Sequence, residues 1–385
     1  MQLKLDPSIS YALALEGGGA RGSYQIGAWK ALREAGIRIG AVAGTSVGAL
    51  NGALIVMGDE PRAEELWKSI RFSKVMDVDD EEMRRLVKGD LRGLDLRTTA
   101  SMLKSVLDNR GLDVKPLYDW MREVVNEDAI RTSDVELYIV TYSLTDHREM
   151  ELRARDLPAG SIVDMLLASA YLPVFRNEKL GGKRYADGGV RDVLPLHTLV
   201  ENGCEDIIAL RLYGFGVERP MRIPRSVRLH TVSPTLDLGG ILDFEAAQSC
   251  FDLSAGYFDA QRLLYGLRGT SWYVDGRWTE EKAYAFLADR VRAYLKTANR
   301  DVTLRELNES VLPGMAKRLD VPKGSYCDLL TTCLETAAEE AGLERWRIYT
   351  EDELIEQLAP KFASGTVPQK ITEALERRRL PTLPL

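Results

Sequence analysis

Twenty consecutive residues without a charge, Ile39 to Gly58, constrain this 385-residue chain more than any other feature. A stretch of that length suffices to cross a bilayer as a helix. It also contains Gly40, Gly44, Gly48, Gly52, Gly58 and Asn51, a mixture that suits a buried strand, a sharp turn and a buried helix of small residues. Its neighbours favour that second arrangement. Tyr11–Leu15 (YALAL) is a short apolar run ending at Glu16 and a glycine triplet. Ser23–Ala35 places Tyr24, Gly27, Ala28, Ala31 and Leu32 on one helical face. Ile37–Ala43 reads as a second apolar strand, and Val47–Met57 as a helix. This β-α-β-α order predicts a parallel sheet covered by helices.

Further along, residues 61–131 read as mainly helical, with a dense charge run at Asp77–Arg85 that marks a solvated face. Glu136–Tyr142 is a strong strand, Ser161–Tyr171 an apolar helix stopped near Pro173, and Asp206–Leu212 another strand. The sheet is expected to be complete near residue 215, or after Val227–Val232. Glu280–Lys296 is amphipathic, with Tyr284, Leu287, Ala288, Val291, Tyr294 and Leu295 as one stripe. Leu304–Leu319 and Tyr326–Ala341 continue in the same manner, and residues 374–385 are expected to fray. We find no internal repeat and no low-complexity linker.

Composition excludes several classes. With 45% hydrophobic and 28% charged residues the chain is not mainly disordered. Lys and Arg total 51 against 58 Asp and Glu, a net charge of −7, so there is no global basic field for nucleic acid, nor long-range attraction to an anionic membrane. The four cysteines (Cys204, Cys250, Cys327, Cys333) form no C-x-x-C pair, and there are three histidines, so neither a disulfide framework nor a structural zinc site is expected. This cysteine usage suits a reducing compartment and predicts a cytoplasmic location. Residues 7–15 imitate a secretory signal only weakly, being short and preceded by Asp6.

The chemistry gathers at two turns. Gly17-Gly18-Gly19-Ala20-Arg21-Gly22 follows the first strand and opens a helix, matching G-x-G-x-x-G. A dinucleotide site also wants a carboxylate at the end of the second strand. That position holds Ala43-Gly44-Thr45-Ser46, without one. A plain structural turn remains open, as does an anion site: glycines leave backbone N–H groups bare at a helix N-terminus, which suits a developing oxyanion. Gly44-Thr45-Ser46-Val47-Gly48 is a G-x-S-x-G between an apolar strand and a helix of small residues. That context makes an elbow projecting Ser46 at the helix N-terminus, where the dipole favours negative charge. A capping serine is the bland alternative.

A serine nucleophile needs a base. His147 lies in a charged turn, His197 just inside a helix begun by Pro195, and His230 in a strand-like stretch; none adjoins a second catalytic signature. Asp187, followed by Gly188 and Gly189, sits on an open turn whose backbone is free to approach another loop. In isolation, such a D-G-G is usually just a turn.

Taken in order, GGGARG at 17–22, GTSVG at 44–48, Ser169 through Phe175 (SAYLPVF) and DGG at 187–189 followed by LPL at 194–196 resemble the patatin-like phospholipase family, of bacterial type. The resemblance covers residues 11–212. It implies a three-layer α/β/α sandwich around a central, mostly parallel sheet, which is expected to occupy residues 1–299, while the helical pattern marks residues 300–385 as an appendage. It also implies acyl-ester hydrolysis of phospholipids or lysophospholipids, in lipid catabolism, through an acyl-enzyme on a Ser46–Asp187 dyad. The oxyanion hole would then fall at Gly17, Gly18, Gly19, Arg21 and Gly22, the elbow at Gly44, Val47 and Gly48, and the proton-acceptor loop at Gly188 and Gly189. No metal or organic cofactor is implied. The partner is a lipid or acyl-ester substrate rather than nucleic acid; transient membrane-surface contact stays open, and so does the oligomeric state. Two other readings stay open: a non-catalytic lipid-binding or scaffold protein on the same fold, and a soluble esterase with a histidine base.

Overall fold

Strand alternation decides the layers. In the computed structural model, which describes residues 1–88, 111–172, 174–321, 324–360 and 371, β1 (Ser10–Leu15) turns Ala12 and Ala14 to one face and Leu13 and Leu15 to the other. The alanine face packs with Ala41, Ala43, Ile207 and Ala209 against Leu199 of the short helix Leu196–Glu201. On the other face, α1 (Ser23–Glu34) is followed by β2 (Arg38–Thr45) and α2 (Val47–Met57). Side chains of Leu15, Val42 and Leu137 crowd the place where a Cβ on Gly52 of α2 would sit, so this helix lies flat on the sheet.

The sheet continues with β3 (Glu136–Ser143), β4 (Arg148–Arg153), β5 (Tyr185–Asp187), β6 (Asp206–Leu210) and β7 (Arg228–Val232). Its order is β4-β3-β2-β1-β6-β7, with β5 paired to β3 off that path. The pairs β1/β2, β1/β6, β2/β3 and β6/β7 are parallel; β3/β4 and β3/β5 are antiparallel. A mostly parallel sheet between helical layers is the expected α/β/α sandwich. The uncharged stretch is therefore strand, elbow and helix, and among the described residues no helix is long and apolar enough to cross a membrane.

Two elements depart from the sequence reading. Residues 148–153 (REMELR), part of the charge-rich segment around His147, form the edge strand β4, where charges blunt an open edge. The helix Ala246–Tyr265 had no expectation attached. It crosses α1 at two glycines: a Cβ on Gly27 would come within 1.9 Å of the Leu253 carbonyl oxygen, and one on Gly256 within 1.9 Å of the Tyr24 carbonyl oxygen. The Tyr24 hydroxyl donates to Asp259 Oδ2 at 2.8 Å beside this crossing.

Contacts divide the chain into two units, residues 3–264, and residues 1–2 with 265–385. The division falls before the 299/300 boundary expected from the helix pattern. The reason is that Leu287, Val291 and Leu295 of the helix Glu280–Thr297 share a core with Leu312, Leu330 and Leu334 of the later helices. Pro173 and the terminal segment 374–385 lie outside the described residues, as does part of the helical stretch 61–131.

Candidate active site

The parallel register brings Leu15 level with Gly44 and with Leu210, so the glycine loop after β1, the elbow after β2 and the loop after β6 meet at one end of the sheet. At the elbow Ser46 has φ 57° and ψ −128°. A non-glycine residue held there carries strain on the order of 1–3 kcal/mol, the mark of a strand-to-helix nucleophile turn. The turn is tight enough to demand its flanking glycines. A Cβ on Gly44 would lie 2.2 Å from the Gly48 carbonyl oxygen, and one on Gly48 2.3 Å from the Leu15 carbonyl oxygen.

The backbone N–H of Ser46 donates to Ser169 Oγ at 2.8 Å, and that hydroxyl donates to the Val140 carbonyl at 2.5 Å. Ser169 therefore locks the elbow onto β3. The sequence reading contained Ser169 only as part of a motif; the signal for its role was the polar start of an otherwise apolar run. Thr45 Oγ1 donates to the Asp192 carbonyl at 2.9 Å and ties the elbow to the turn after Asp187.

Asp187 ends β5 opposite Thr141 of β3, with its N–H donating to the Tyr171 carbonyl at 2.9 Å. Ser46 and Asp187 are each only 6% exposed. Asp187 Oδ1 accepts the Gly189 N–H at 2.8 Å, while Oδ2 is buried with no hydrogen-bond partner among the described residues. Burial pushes the Asp187 carboxyl up to about 6; the Ser46 hydroxyl and the Gly189 N–H pull the other way. The serine hydroxyl is thus a near neighbour of the carboxylate without an aligned bond. Gly188 lets the turn close: a Cβ there would lie 2.4 Å from the Val140 carbonyl oxygen.

The glycine loop separates into donors and spacers. Gly17 is a spacer, since its N–H is donated to the Val193 carbonyl at 2.9 Å and a Cβ on it would lie 3.2 Å from Ser46 Cβ. Within the expected oxyanion-hole loop Gly17 is therefore a spacer, and its own N–H is already used. The N–H groups of Gly18 and Gly19 find no acceptor among the described residues. Gly19 has φ 58°, and a Cβ there would fall 2.1 Å from the Ile241 carbonyl oxygen. Gly22 begins the helix beneath Val47, and its carbonyl accepts Asn51 Nδ2 at 2.8 Å. Asn51 also takes Trp67 Nε1–H on Oδ1 at 2.9 Å, and Gln25 Nε2 donates to the Glu16 carbonyl at 2.7 Å. Both ends of the loop are held by buried amides.

Arg21 does not face Ser46. Its Nε donates to the Gly239 carbonyl at 2.9 Å, and its Nη1 to the carbonyls of Leu212 and Tyr213 at 3.1 and 2.8 Å. Buried Glu16 takes the N–H groups of the same two residues at 2.7 and 3.2 Å, with Arg211 Nε at 2.8 Å. Arg21 and Glu16 together clamp the loop after β6. Arg21, the basic position of the expected oxyanion-hole loop, thus acts on that loop through backbone carbonyls.

No hydrogen bond joins any histidine to Ser46 or Asp187 among the described residues. His147 is exposed in the β3–β4 turn; His197 Nδ1 lies 3.2 Å from Glu201 Oε2; His230 sits on β7 against the Tyr11 ring. Of Trp67, Ile70, Phe72, Leu117, Trp120 and Met121, the apolar residues of the stretch 61–131 expected to offer an acyl-chain wall, Trp120 is half-buried and the other five are buried.

The family model described as patatin-like phospholipase matches residues 13–200. Neuropathy target esterase sws of Drosophila melanogaster is 31% identical over 206 residues, covering 52% of this chain and 13% of the fly protein. An uncharacterized NTE family protein of Mycobacterium bovis is 28% identical over 215 residues, covering 56% of this chain and 52% of that protein. This chain therefore spans about half the length of one relative and a small part of the other. Among solved structures, VipD from Legionella pneumophila aligns with a TM-score of 0.43 and 13% identity, over 96% of this chain and 89% of that one. Residues 13–200, which hold the glycine loop, the elbow and the Asp187 turn, match the patatin-like phospholipase family.

Proposed function

We propose that this protein hydrolyses carboxylic esters of phospholipids or lysophospholipids through an acyl-enzyme, with Ser46 as nucleophile and Asp187 as base. The observation that carries the reading is the environment of Asp187. A carboxylate whose pKa burial lifts to about 6, next to a serine hydroxyl and with one oxygen unpartnered, is matched to accepting a proton near neutrality. At its ordinary value of about 3.9 it would be a poor base.

Ser46 Oγ attacks the ester carbonyl carbon while its proton passes to Asp187 Oδ2. The carbonyl oxygen, now an oxyanion, takes the N–H groups of Gly18 and Gly19, with Val47 as a further donor. Collapse breaks the bond to the leaving alcohol, which receives the proton from Asp187. Water then attacks the acyl-serine and gives its proton to Asp187, and collapse frees the fatty acid and returns that proton to Ser46. The glycine loop's lack of a carboxylate partner at the end of β2 supports an anion site over a dinucleotide site.

Analysis of products from a mixed lipid extract tests the proposal. We expect free fatty acid and the matching deacylated lipid from the intact protein, and neither above background from Ser46→Ala. Equal release by both proteins would assign the activity elsewhere, and no release by either under any lipid presentation would favour a non-catalytic lipid-binding role.

A further inference from the structure

Four exposed apolar side chains lie on two neighbouring backbone segments that adjoin Asp187. Residues 213–217 run beside residues 189–193: Val217 N–H donates to the Gly189 carbonyl, and Val193 N–H to the Val217 carbonyl, each at 2.8 Å. Val190, Tyr213, Phe215 and Val217 on these segments are all exposed, Tyr213 at 58% and Phe215 at 89%. A phenylalanine that open to water, held between Gly214 and Gly216, has no packing role in the fold. The segment is nevertheless anchored, because Arg21 and Glu16 fix the backbone of Leu212 and Tyr213.

Charge accompanies the apolar patch. Arg191 is exposed on the same turn, its guanidinium 5.5 Å from the centre of the Tyr142 ring, and makes no ion pair among the described residues. Arg219, two residues past Val217, is exposed and reaches Glu149 and Glu151 only at 3.6 Å. The loop continues through Arg222 and Arg225, exposed and also without an ion pair among the described residues. In a chain of net charge −7, this basic stretch stands apart from the overall balance. The net charge of −7 opposes a second copy and an anionic surface alike at long range, but within a Debye length the protruding aromatic and aliphatic side chains flanked by arginine match the boundary between anionic headgroups and acyl chains.

We propose that residues 189–193 and 213–217 form a docking edge for an anionic lipid bilayer, with Phe215 entering the acyl region and Arg191 and Arg219 meeting headgroups. The inference rests on the reading of Ser46 as a lipid hydrolase nucleophile and adds how that serine meets an aggregated substrate. An ester leaving the bilayer would emerge beside the Asp187 turn.

The test uses the full chain carrying Ser46→Ala, so that lipid is not consumed. Flotation is measured with phosphatidylcholine vesicles, with and without about 30 mol % phosphatidylglycerol. We expect binding that is strengthened by phosphatidylglycerol and weakened by salt. Phe215→Ser should lower the partition coefficient about tenfold, and Phe215→Trp should restore it. Arg191→Gln with Arg219→Gln should remove most of the preference for phosphatidylglycerol. Absence of vesicle binding in the parent, or equal binding by Phe215→Ser, would overturn the proposal. So would a dimer in sedimentation velocity that Phe215→Ser dissolves, since the patch would then be a self-association surface. Because binding is read without turnover, its failure leaves the Ser46 assignment standing, and a failure of that assignment would be seen in product analysis instead.

Discussion

Asp187→Asn is expected to lower kcat on a soluble ester by on the order of 10²–10⁴, the usual contribution of a general base. The amide keeps the shape of the carboxylate and can still accept the Gly189 N–H through its oxygen, so the loss isolates the proton acceptor. The same change is expected to stabilise the fold at alkaline pH. The folded carboxyl titrates at about 6, above its unfolded value of 3.8, so the native state holds the proton more tightly. Asp187 therefore contributes stability below pH 4 and loses it as pH rises through 6. Asparagine carries no such loss. Thermal unfolding at pH 8 should show Asp187→Asn more stable by about 1–3 kcal/mol, with the advantage fading as pH falls toward 4. Asp192 and Asp252, lifted mainly by burial to about 7 and about 8, act in the same sense in both proteins and cancel from the comparison. A His147→Gln, His197→Gln, His230→Gln triple variant should retain most activity once shown to be folded. Loss of activity in that variant, with Asp187→Asn still active, would move the enzyme to the histidine-dependent esterases.

Gly19→Ala is expected to cost 10²–10³ in kcat, the effect of losing an oxyanion-hole donor. Gly19 occupies the left-handed region at φ 58°, and the added methyl would meet the Ile241 carbonyl oxygen at 2.1 Å. Both problems are backbone problems, so no side-chain rotation relieves them, and the loop must shift. Its ends are pinned by Gln25, Asn51 and Arg21, so the displacement should concentrate at the N–H groups of Gly18 and Gly19. Steady-state kinetics on a short soluble ester, with circular dichroism as the folding control, separate the two effects. A folded Gly19→Ala protein with unchanged kcat would show that the oxyanion is held elsewhere.

Much of this site was legible because it lies where local rules are strong. An uncharged stretch with this much glycine, flanked by strand-like and helical segments, favoured strand, elbow and helix over a membrane span, and the parallel register then brought the glycine loop to Ser46. Asp187 was legible from its place in the ordered set of motifs, since a D-G-G in isolation is usually just a turn. What local pattern could not supply were the long-range holds. Glu16 looks like an ordinary loop charge until the backbone of Leu212 and Tyr213, far away in the chain, closes on it. Ser169 donates and accepts across three elements, which no window of neighbouring residues reports. The motif treats its glycines alike, and that the N–H of Gly17 goes to Val193 is fixed only by the fold. The edge strand β4 was hidden by its own charges, and β5 by its three-residue length.

The central claim is that Ser46 is the activated nucleophile, and covalent labelling tests it most directly. A fluorophosphonate reacts with a serine whose proton has an acceptor and whose developing oxyanion has donors, and ordinary hydroxyls lack both. After brief exposure of the folded, active protein and peptide mass spectrometry, the adduct mass is expected on the peptide containing Ser46, with labelling and activity lost in parallel. Asp187→Asn should slow that labelling strongly. An active preparation in which Ser46 stays unmodified while another residue carries the adduct would contradict the account.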